Sequence, residues 1–221
     1  RRGCRFPPRS ARWLRRAPAA LAFLTAVAAC GAAETGDGSS AQSRVVVLDE
    51  SFSGQIGALR LQNVIALSGG GIGGLSGMWI SPDSSRFAAV ADDGHSLTGR
   101  LLHDRDGRLT GAADVKRAPL FPPGFIASGK RDNDAEELAR LPGGGWLVSF
   151  ERNHRLLRFG EDFAASGPPA AFSAPPGLAG APSNGGMEAL AVWPDGGMLA
   201  LEEGADGAAT TRGWFAAASP D

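Results

Sequence analysis

The sequence NGGMEALAVWPDGGMLALEEG, Asn184–Gly204, contains two short apolar runs separated by a Pro-Asp-Gly-Gly turn. Glu188 precedes the first run, and Glu202 and Glu203 end the second run. Pro, Asp and Gly supply the backbone reversal that a tight turn needs, and apolar runs of this length on either side of such a turn are typical of strands. The segment is therefore predicted to form a β-hairpin with acidic residues at its open end.

The same pattern occurs twice more in the chain. Asp134–Arg152 repeats it around Pro142, and Gly74–Gly94 repeats it around Pro82. The three turn prolines are 60 and 52 residues apart, slightly more than the roughly 40–50 residues of a propeller blade. Repeated strand–turn–strand units pack as blades around an axis. We therefore predict an all-β protein, a β-propeller with about four blades in this chain. The alternative is a chance similarity of generic hairpins in a chain with 32 Gly.

The first 29 residues have the composition of a targeting segment. They contain seven Arg and no acid, and Ala17–Ala29 is an apolar run too short to span a bilayer. Val27–Cys30 resembles the lipobox of bacterial lipoproteins, a family in which the cysteine is lipidated after cleavage. We predict that residues 1–29 are a cleaved signal peptide, that Cys30 is lipidated and that residues 30–43 form a flexible tether. An ordinary secretory signal and an uncleaved anchor are the alternatives.

The predicted domain, residues 44–221, follows this basic start and has the opposite charge. Beyond residue 29 the chain has 15 basic and 23 acidic residues, which argues against nucleic acid and anionic lipid headgroups as partners. An acidic surface suits divalent cations. Cys4 and Cys30 are the two cysteines of the sequence, so neither a disulfide nor a cysteine nucleophile is expected in the domain. We expect a monomer held at the cell envelope by a lipid anchor.

Acids at equivalent positions of the three repeats are the candidate site residues. When the repeats are aligned on their prolines, one position holds Ser76, Glu136 and Glu188, and Asp92, Glu151 and Glu203 fall at nearly a second position. The inner strands of a propeller converge, so these side chains are expected to cluster. Clustered carboxylates repel each other unless a cation lies among them or some are protonated. Oxygen ligands favour calcium or magnesium over zinc.

Two further sets of charged residues flank the aligned acids. Glu137, Asp93 and Glu202 lie one residue away and are expected on the opposite side of an extended strand, or at solvated strand ends. Arg152 and Arg155 follow Glu151, and Lys130 and Arg131 precede the second repeat. Arginine beside an acidic metal site is suited to holding a phosphate ester, because its guanidinium group bonds two oxygens at once. Each of these cations is alternatively a surface charge.

The glycine run Gly69–Gly74 formally matches the dinucleotide-binding pattern G-x-G-x-x-G. That function requires a helix directly after the glycines, so that the pyrophosphate meets the helix N-terminus. Leu75–Ile80 and a Pro-Asp turn follow instead, and this segment has the pattern of a strand. We do not expect nucleotide binding.

Several short motifs, taken in order, resemble those of the phytase-like domain family, also described as "esterase-like activity of phytase". They are Gly74–Gly77, Asp92–Gly94, Asp134–Glu136, Ser149–Arg152, Asn184–Leu190 and Leu201–Glu203. The resemblance extends from Val46 to Gly204. It implies a β-propeller of the kind found in secreted or lipid-anchored bacterial proteins, and it implies that the aligned acids take part in hydrolysis. Transferred by position, the implied acids are Asp92, Asp93, Glu136, Glu151, Glu188 and Glu202. The family pattern continues further, so we expect the C-terminal blades to be missing from this chain.

The repeats and the resemblance together define a working hypothesis. We assign Glu136, Glu151 and Glu188 as catalytic residues, Asp92, Asp93 and Glu202 as ligands of a calcium ion, and Arg152 and Arg155 as substrate contacts. The expected function is an envelope-anchored hydrolase of small-molecule phosphate esters. One alternative is a non-catalytic envelope propeller that binds a ligand or partner and holds a structural ion. Another is a metal-dependent hydrolase of the lactonase type.

Overall fold

The computed structural model describes residues 40–46, 55–61, 63–125, 129–204 and 210–217. The predicted signal peptide, Cys30 and residues 30–39 of the predicted tether lie outside these ranges. Within them the regular structure is almost all β-strand, with one four-residue α-helix, α1 (Lys130–Asn133), and two short 3-10 helices, Phe163–Ser166 and Leu178–Gly180. No helix in these ranges is long and apolar enough to cross a membrane.

The described strands form five antiparallel sheets. Two ribbons consist of β1 (Gln42–Val46) with β4 (Val64–Ser68), and of β2 (Gln55–Ile56) with β3 (Leu59–Arg60). Blade I contains β5 (Leu75–Ile80), β6 (Arg86–Ala91), β7 (His95–His103) and β8 (Leu109–Pro119) in that order. Blade II contains β9 (Ala135–Arg140), β10 (Trp146–Phe150), β11 (Arg155–Phe159) and β12 (Ala170–Phe172). Blade III contains β13 (Met187–Val192), β14 (Met198–Glu202) and β15 (Gly213–Ala216).

The first strands of the three blades lie side by side. β9 lies between β5 and β13. Gly77 allows β5 to approach β9, because a Cβ atom at this position would lie 2.7 Å from the Cα atom of Glu137. Blades II and III are joined by the buried Ser149, whose hydroxyl donates a hydrogen bond of 3.0 Å to the carbonyl of Met187. The predicted β-propeller is thereby confirmed.

The N-terminal strands differ in detail from the prediction. The first strand begins at Gln42, inside the predicted tether, and not at Arg44. The apolar segment Leu59–Leu67 does not form one continuous strand and is divided between β3 and β4. β1 and β4 pair with each other and pack on β8, where the hydroxyl of Ser43 accepts a hydrogen bond of 2.9 Å from the Ala112 amide. Three blades and this ribbon therefore make up the described part of the propeller.

Blade II is buried on both faces, which explains why its second strand is apolar apart from Ser149. Trp146, Val148 and Phe150 belong to a core cluster that includes Ala88 and Val90 of blade I. Leu147 belongs to a separate cluster that includes Met187 and Ala200 of blade III. Because successive side chains of a strand point to opposite faces, β10 contributes to both cores in alternation.

The hairpins predicted around Pro82, Pro142 and Pro194 are present and share one turn geometry. The amide of the third turn residue donates to the carbonyl of the residue before the proline, at 2.7 Å for Ser84 to Ser81, 3.0 Å for Gly144 to Leu141 and 2.9 Å for Gly196 to Trp193. This third residue has a positive φ in all three turns, 89° at both glycines and 56° at Ser84. The repeat therefore extends to the backbone conformation.

Ser84→Gly is expected to stabilise the protein by about 0.5–1 kcal/mol, because glycine adopts positive φ without the steric cost of a Cβ atom. Thermal unfolding should show Tm raised by roughly 1–4 °C. Gly196→Ala is the matched opposite change, since an added Cβ atom there meets nothing within 4 Å and only the backbone strain is tested. An unchanged or lowered Tm for Ser84→Gly would contradict this account of the turn.

Candidate functional site

A polar cavity of about 250 Å³ lies at the ends of the inner hairpins, away from the three proline turns. All three blades and α1 contribute to its lining. The lining residues are Ser76, Asp92, Lys130, Asp134, Glu136, Glu151, Arg152, Asn184, Glu188 and Glu203. The predicted convergence of repeated acids is therefore present in the structure.

One repeated backbone hydrogen bond positions the second acid of each repeat. The amide of Asp92 donates to Gly74 at 2.9 Å, that of Glu151 to Asp134 at 2.8 Å, and that of Glu203 to Gly186 at 2.9 Å. Asp92, Glu151 and Glu203 thus occupy equivalent places at the open ends of the three hairpins. The approximate alignment of these acids on the prolines reflects a real structural equivalence.

The first aligned residue of each repeat, which is an acid in blades II and III and Ser76 in blade I, lies at a β-bulge or similar irregularity. In blade II the register passes from Ala135 to Glu137 and leaves Glu136 without a cross-strand partner. In blade III it passes from Met187 to Ala189 and leaves Glu188 unpaired in the same way. Blade I has the corresponding irregularity between Leu75 and Met78, around Ser76. A bulge changes the direction of a side chain, and here the extra residues line the cavity.

Asp134 is the most deeply buried acid of the site, with 1% of its surface exposed. Both of its carboxylate oxygens are bonded to cations. Lys130 Nζ lies 2.7 Å from Asp134 Oδ1 and 2.7 Å from Asp92 Oδ2. Arg152 Nε lies 2.5 Å from Asp134 Oδ2, and the same guanidinium donates to the side-chain oxygen of Asn184 at 3.3 Å. Lys130 and Arg152 therefore form a cationic edge beside the acids.

The four glutamates of the site have no ion pair within the part of the chain that the structure describes. Burial raises the pKa of Glu136 to about 8, and repulsion by Glu188, Asp134 and Glu151 contributes. Burial also raises the pKa of Glu188, with repulsion by Glu203 and Glu151 adding to the effect. The pKa of Glu151 is raised by burial as well. The cavity thus concentrates more negative charge than its two cations neutralise.

Two overlapping groups of carboxylates could each hold a metal ion. One consists of Asp134, Glu136 and Glu151, and the other of Glu151, Glu188 and Glu203. In each group one oxygen per residue lies within 4.8 Å of the others. Nearly buried Glu151 is common to both.

Five of the eight predicted residues of the site line the cavity: Glu136, Glu151, Glu188, Asp92 and Arg152. Asp93, Glu202 and Arg155 lie outside it. Asp93 is exposed and pairs with Arg117 at 2.5 Å and with His95 at 3.0 Å. The working hypothesis groups Asp93 with Asp92 as metal ligands, whereas in the structure only Asp92 lines the cavity.

Glu202 is also separated from the cavity. Its buried carboxylate pairs with Arg212, which in turn lies over the ring of Trp214. The neighbouring Glu203 lines the cavity instead. Arg155 lies over the ring of Phe150, 4.2 Å from its centroid, and donates to the carbonyl oxygens of Asn153 and Asp132. Glu202 and Arg155 therefore make structural contacts outside the cavity.

Some lining residues were not assigned from the sequence. Asp134 has Gly74 and Gly186 as its repeat equivalents, so the alignment gave no sign of an acid there. The sequence offers Lys130 as a phosphate contact, although the working hypothesis does not assign it; it belongs to α1, outside the repeats. Asn184 is the first residue of the third repeat, and its equivalents Ile72 and Asp132 share no residue type with it, so no repeat signal marks it. Glu203 could have been assigned from the repeat alignment, because it aligns with Glu151.

Fold and site together define a β-propeller with a carboxylate-lined cavity at one end of its blades. Residues 70–218, more than half of the chain, match the phytase-like family described as "Esterase-like activity of phytase". The chain belongs to this family.

A solved structure of a luciferin-regenerating enzyme is similar to this chain, with a TM-score of 0.41 and 10% sequence identity. The similarity covers 66% of this chain and 44% of that enzyme, so the chain matches less than half of the enzyme's length. No curated protein matches the sequence.

Proposed function

We propose that the cavity hydrolyses phosphate esters with the help of a divalent cation, and that calcium is this cation. The observation that carries the proposal is that four glutamates, which form no ion pair with any described residue, lie beside a cationic edge formed by Lys130 and Arg152. In such an arrangement the glutamates can bind a metal ion while the adjacent cations bind an anionic substrate. Anchoring of the protein at the cell envelope through Cys30 is part of the same proposal.

The residues present fit a calcium ion. Calcium takes six to eight oxygen ligands, commonly from carboxylates and water, and Glu151, Glu188 and Glu203 supply three carboxylates close together. The group around Asp134 is less suitable, because Lys130 and Arg152 already bond both oxygens of Asp134. We therefore assign Glu151, Glu188 and Glu203 as the ligands. A bound divalent cation would shield phosphate charge and activate water there.

The remaining groups of the cavity have distinct tasks. Lys130 and Arg152 bind the oxygens of the phosphate, and the planar guanidinium group of Arg152 orients it. In the calcium-free cavity the carboxyl group of Glu136 holds a proton near neutral pH, because burial raises its pKa to about 8. A carboxyl group with such a pKa is suited to donating a proton to the leaving oxygen. Asn184 holds the Arg152 side chain in place.

Two alternatives have the same acids in other roles. A non-catalytic propeller would use them to hold a structural ion, and a metal-dependent lactonase would use them on carboxylic esters. Both predict cation binding, so turnover on different substrates separates them from a phosphatase.

The test is phosphate release from phytate and from p-nitrophenyl phosphate, with calcium and with a chelator. We expect calcium-dependent release from at least one of the two substrates. Calcium-induced stabilisation without turnover of either compound would leave a structural ion and refute the phosphatase. Cleavage of lactones but not of phosphate esters would favour the lactonase reading.

A further inference from the structure

A second cleft, of about 700 Å³, lies between blades I and II. Its lining includes Trp79 and Pro82 on blade I and Pro142 on blade II, at the turn ends of the inner hairpins. Ser76 lies on the same strand as Trp79 but lines the acidic cavity. From Ser76 to Pro82 the chain advances six residues, or roughly 20 Å in an extended strand. The cleft is therefore separate from the carboxylate site.

The cleft has a rigid aromatic wall. The indole of Trp79 is half-buried and contacts Trp146 edge to face, with the ring centroids 5.2 Å apart. Trp146 is fixed by a hydrogen bond of 3.0 Å from its ring nitrogen to the carbonyl of Glu161, and by the guanidinium of Arg140 over its ring at 4.7 Å. Trp79 is thus held against the core while it lines an open cleft.

Four cationic side chains line the same cleft, and two of them form no ion pair with any described residue. Arg100 pairs with Asp114 at 2.7 Å, and Arg140 pairs with Glu161 at 2.5 Å. The exposed side chains of Arg86 and Lys116 make no hydrogen bond or ion pair in the ranges described above. The chain beyond residue 29 is acidic overall, with 15 basic and 23 acidic residues. With Asp114, Glu161 and Asp162 also in the lining, the cleft carries four cationic and three acidic side chains, and this net positive charge on an acidic protein favours an anionic ligand.

We propose that this cleft is a binding site for a phosphorylated sugar, with the sugar ring on the indole of Trp79 and the phosphate on Arg86 and Lys116. Its volume lies within the range of roughly 300–1,000 Å³ that is common for small-ligand sites. An aromatic face with a few polar groups around it accommodates a ring, and arginine and lysine bind phosphate oxygens. The site is independent of hydrolysis at the carboxylate cavity.

Calorimetric titration with glucose 6-phosphate, glucose and inorganic phosphate, all in the presence of a chelator, tests the proposal. We expect glucose 6-phosphate to bind with a Kd on the order of 0.1–1 mM. Glucose and inorganic phosphate should bind at least tenfold more weakly, because glucose lacks the phosphate that contacts the two cations and phosphate lacks the ring that contacts Trp79. The variant R86A/K116A should weaken binding at least tenfold. The variant R105A/R108A removes the same charge from the exposed turn between β7 and β8 and should change Kd less than twofold.

Two variants separate the two parts of the proposed site from the carboxylate cavity. Trp79→Leu should weaken the binding of glucose 6-phosphate but leave the binding of inorganic phosphate unchanged. Glu151→Gln/Glu188→Gln should leave the Kd of glucose 6-phosphate unchanged, whereas R86A/K116A should leave phosphate release from phytate unchanged. Equal affinity for glucose 6-phosphate and phosphate, unchanged binding in R86A/K116A, or no heat of binding at 10 mM ligand would overturn the proposal. Melting curves confirm that each variant is folded.

Discussion

Replacing Glu151 and Glu188 together by Gln is expected to lower calcium-dependent phosphate release by at least about 100-fold and to abolish the rise in Tm that calcium causes. Both carboxylates belong to the group that we assign to the metal ion. A neutral amide oxygen binds calcium more weakly than a carboxylate, and loss of the ion removes the charge that stabilises the transition state. Phosphate release and calorimetric calcium titration measure the two effects separately.

The same variant should remain folded, which makes its lost activity informative. Repulsion among the glutamates opposes folding in the absence of a cation, so removal of two charges should leave the Tm of the calcium-free protein equal or higher. Asp106→Asn/Asp195→Asn is the control, because it removes two acids from hairpin turns. Its activity should stay within about twofold of the native value. Full calcium binding in Glu151→Gln/Glu188→Gln would show that the ion lies elsewhere.

The repeat made the fold and the core of the site predictable from sequence. Alignment on Pro82, Pro142 and Pro194 identified three hairpins, and all three are present with one turn geometry. The same alignment predicts that Glu136, Glu151 and Glu188 cluster, and all three line the cavity. A repeat carries this information because equivalent residues in neighbouring blades face the same cavity.

Other parts of the site could not be derived from spacing. The bulges that direct Glu136 and Glu188 into the cavity depend on pairing register, which the apolar pattern of a short strand does not specify. The resemblance favoured Glu202 over Glu203, whereas alternation along β14 and the ion pair with Arg212 direct Glu202 away. Lys130 reaches the site from outside the repeats. Departures of this kind follow from tertiary contacts that a repeat does not encode.

Glu136→Gln is expected to stabilise the calcium-free protein at pH 8 and to have little effect at pH 4.5. The pKa of Glu136 is raised from 4.5 to about 8, mainly by burial. A group whose pKa is higher in the folded state favours folding while it is protonated. Its contribution is therefore fully present below pH 4.5 and is lost as the pH rises towards 8. Glutamine stays neutral throughout and avoids this loss.

Since one pKa unit corresponds to about 1.4 kcal/mol and the group is partly exposed, we expect a gain of about 2–3 kcal/mol at pH 8. Tm should then rise by roughly 4–12 °C in thermal unfolding with a chelator present. Calcium should reduce the difference between the two proteins, because a nearby cation lowers the cost of ionising Glu136. The pKa values of Glu188 and Glu151 are also raised, so the difference between variant and native protein reports the ionisation of Glu136 together with its repulsion of these two neighbours.

Glu161→Gln supplies the control of opposite sign. A hydrogen bond from Arg140 holds the pKa of Glu161 below its usual range, and an amide from Gly145 also donates to this carboxylate. Its ionised form therefore favours folding at pH 8, and the substitution should lower Tm there while Glu136→Gln raises it. A Tm difference for Glu136→Gln that is the same at pH 4.5 and pH 8 would exclude ionisation as its cause. A difference that grows between these two values identifies Glu136 as the group that the cavity keeps protonated.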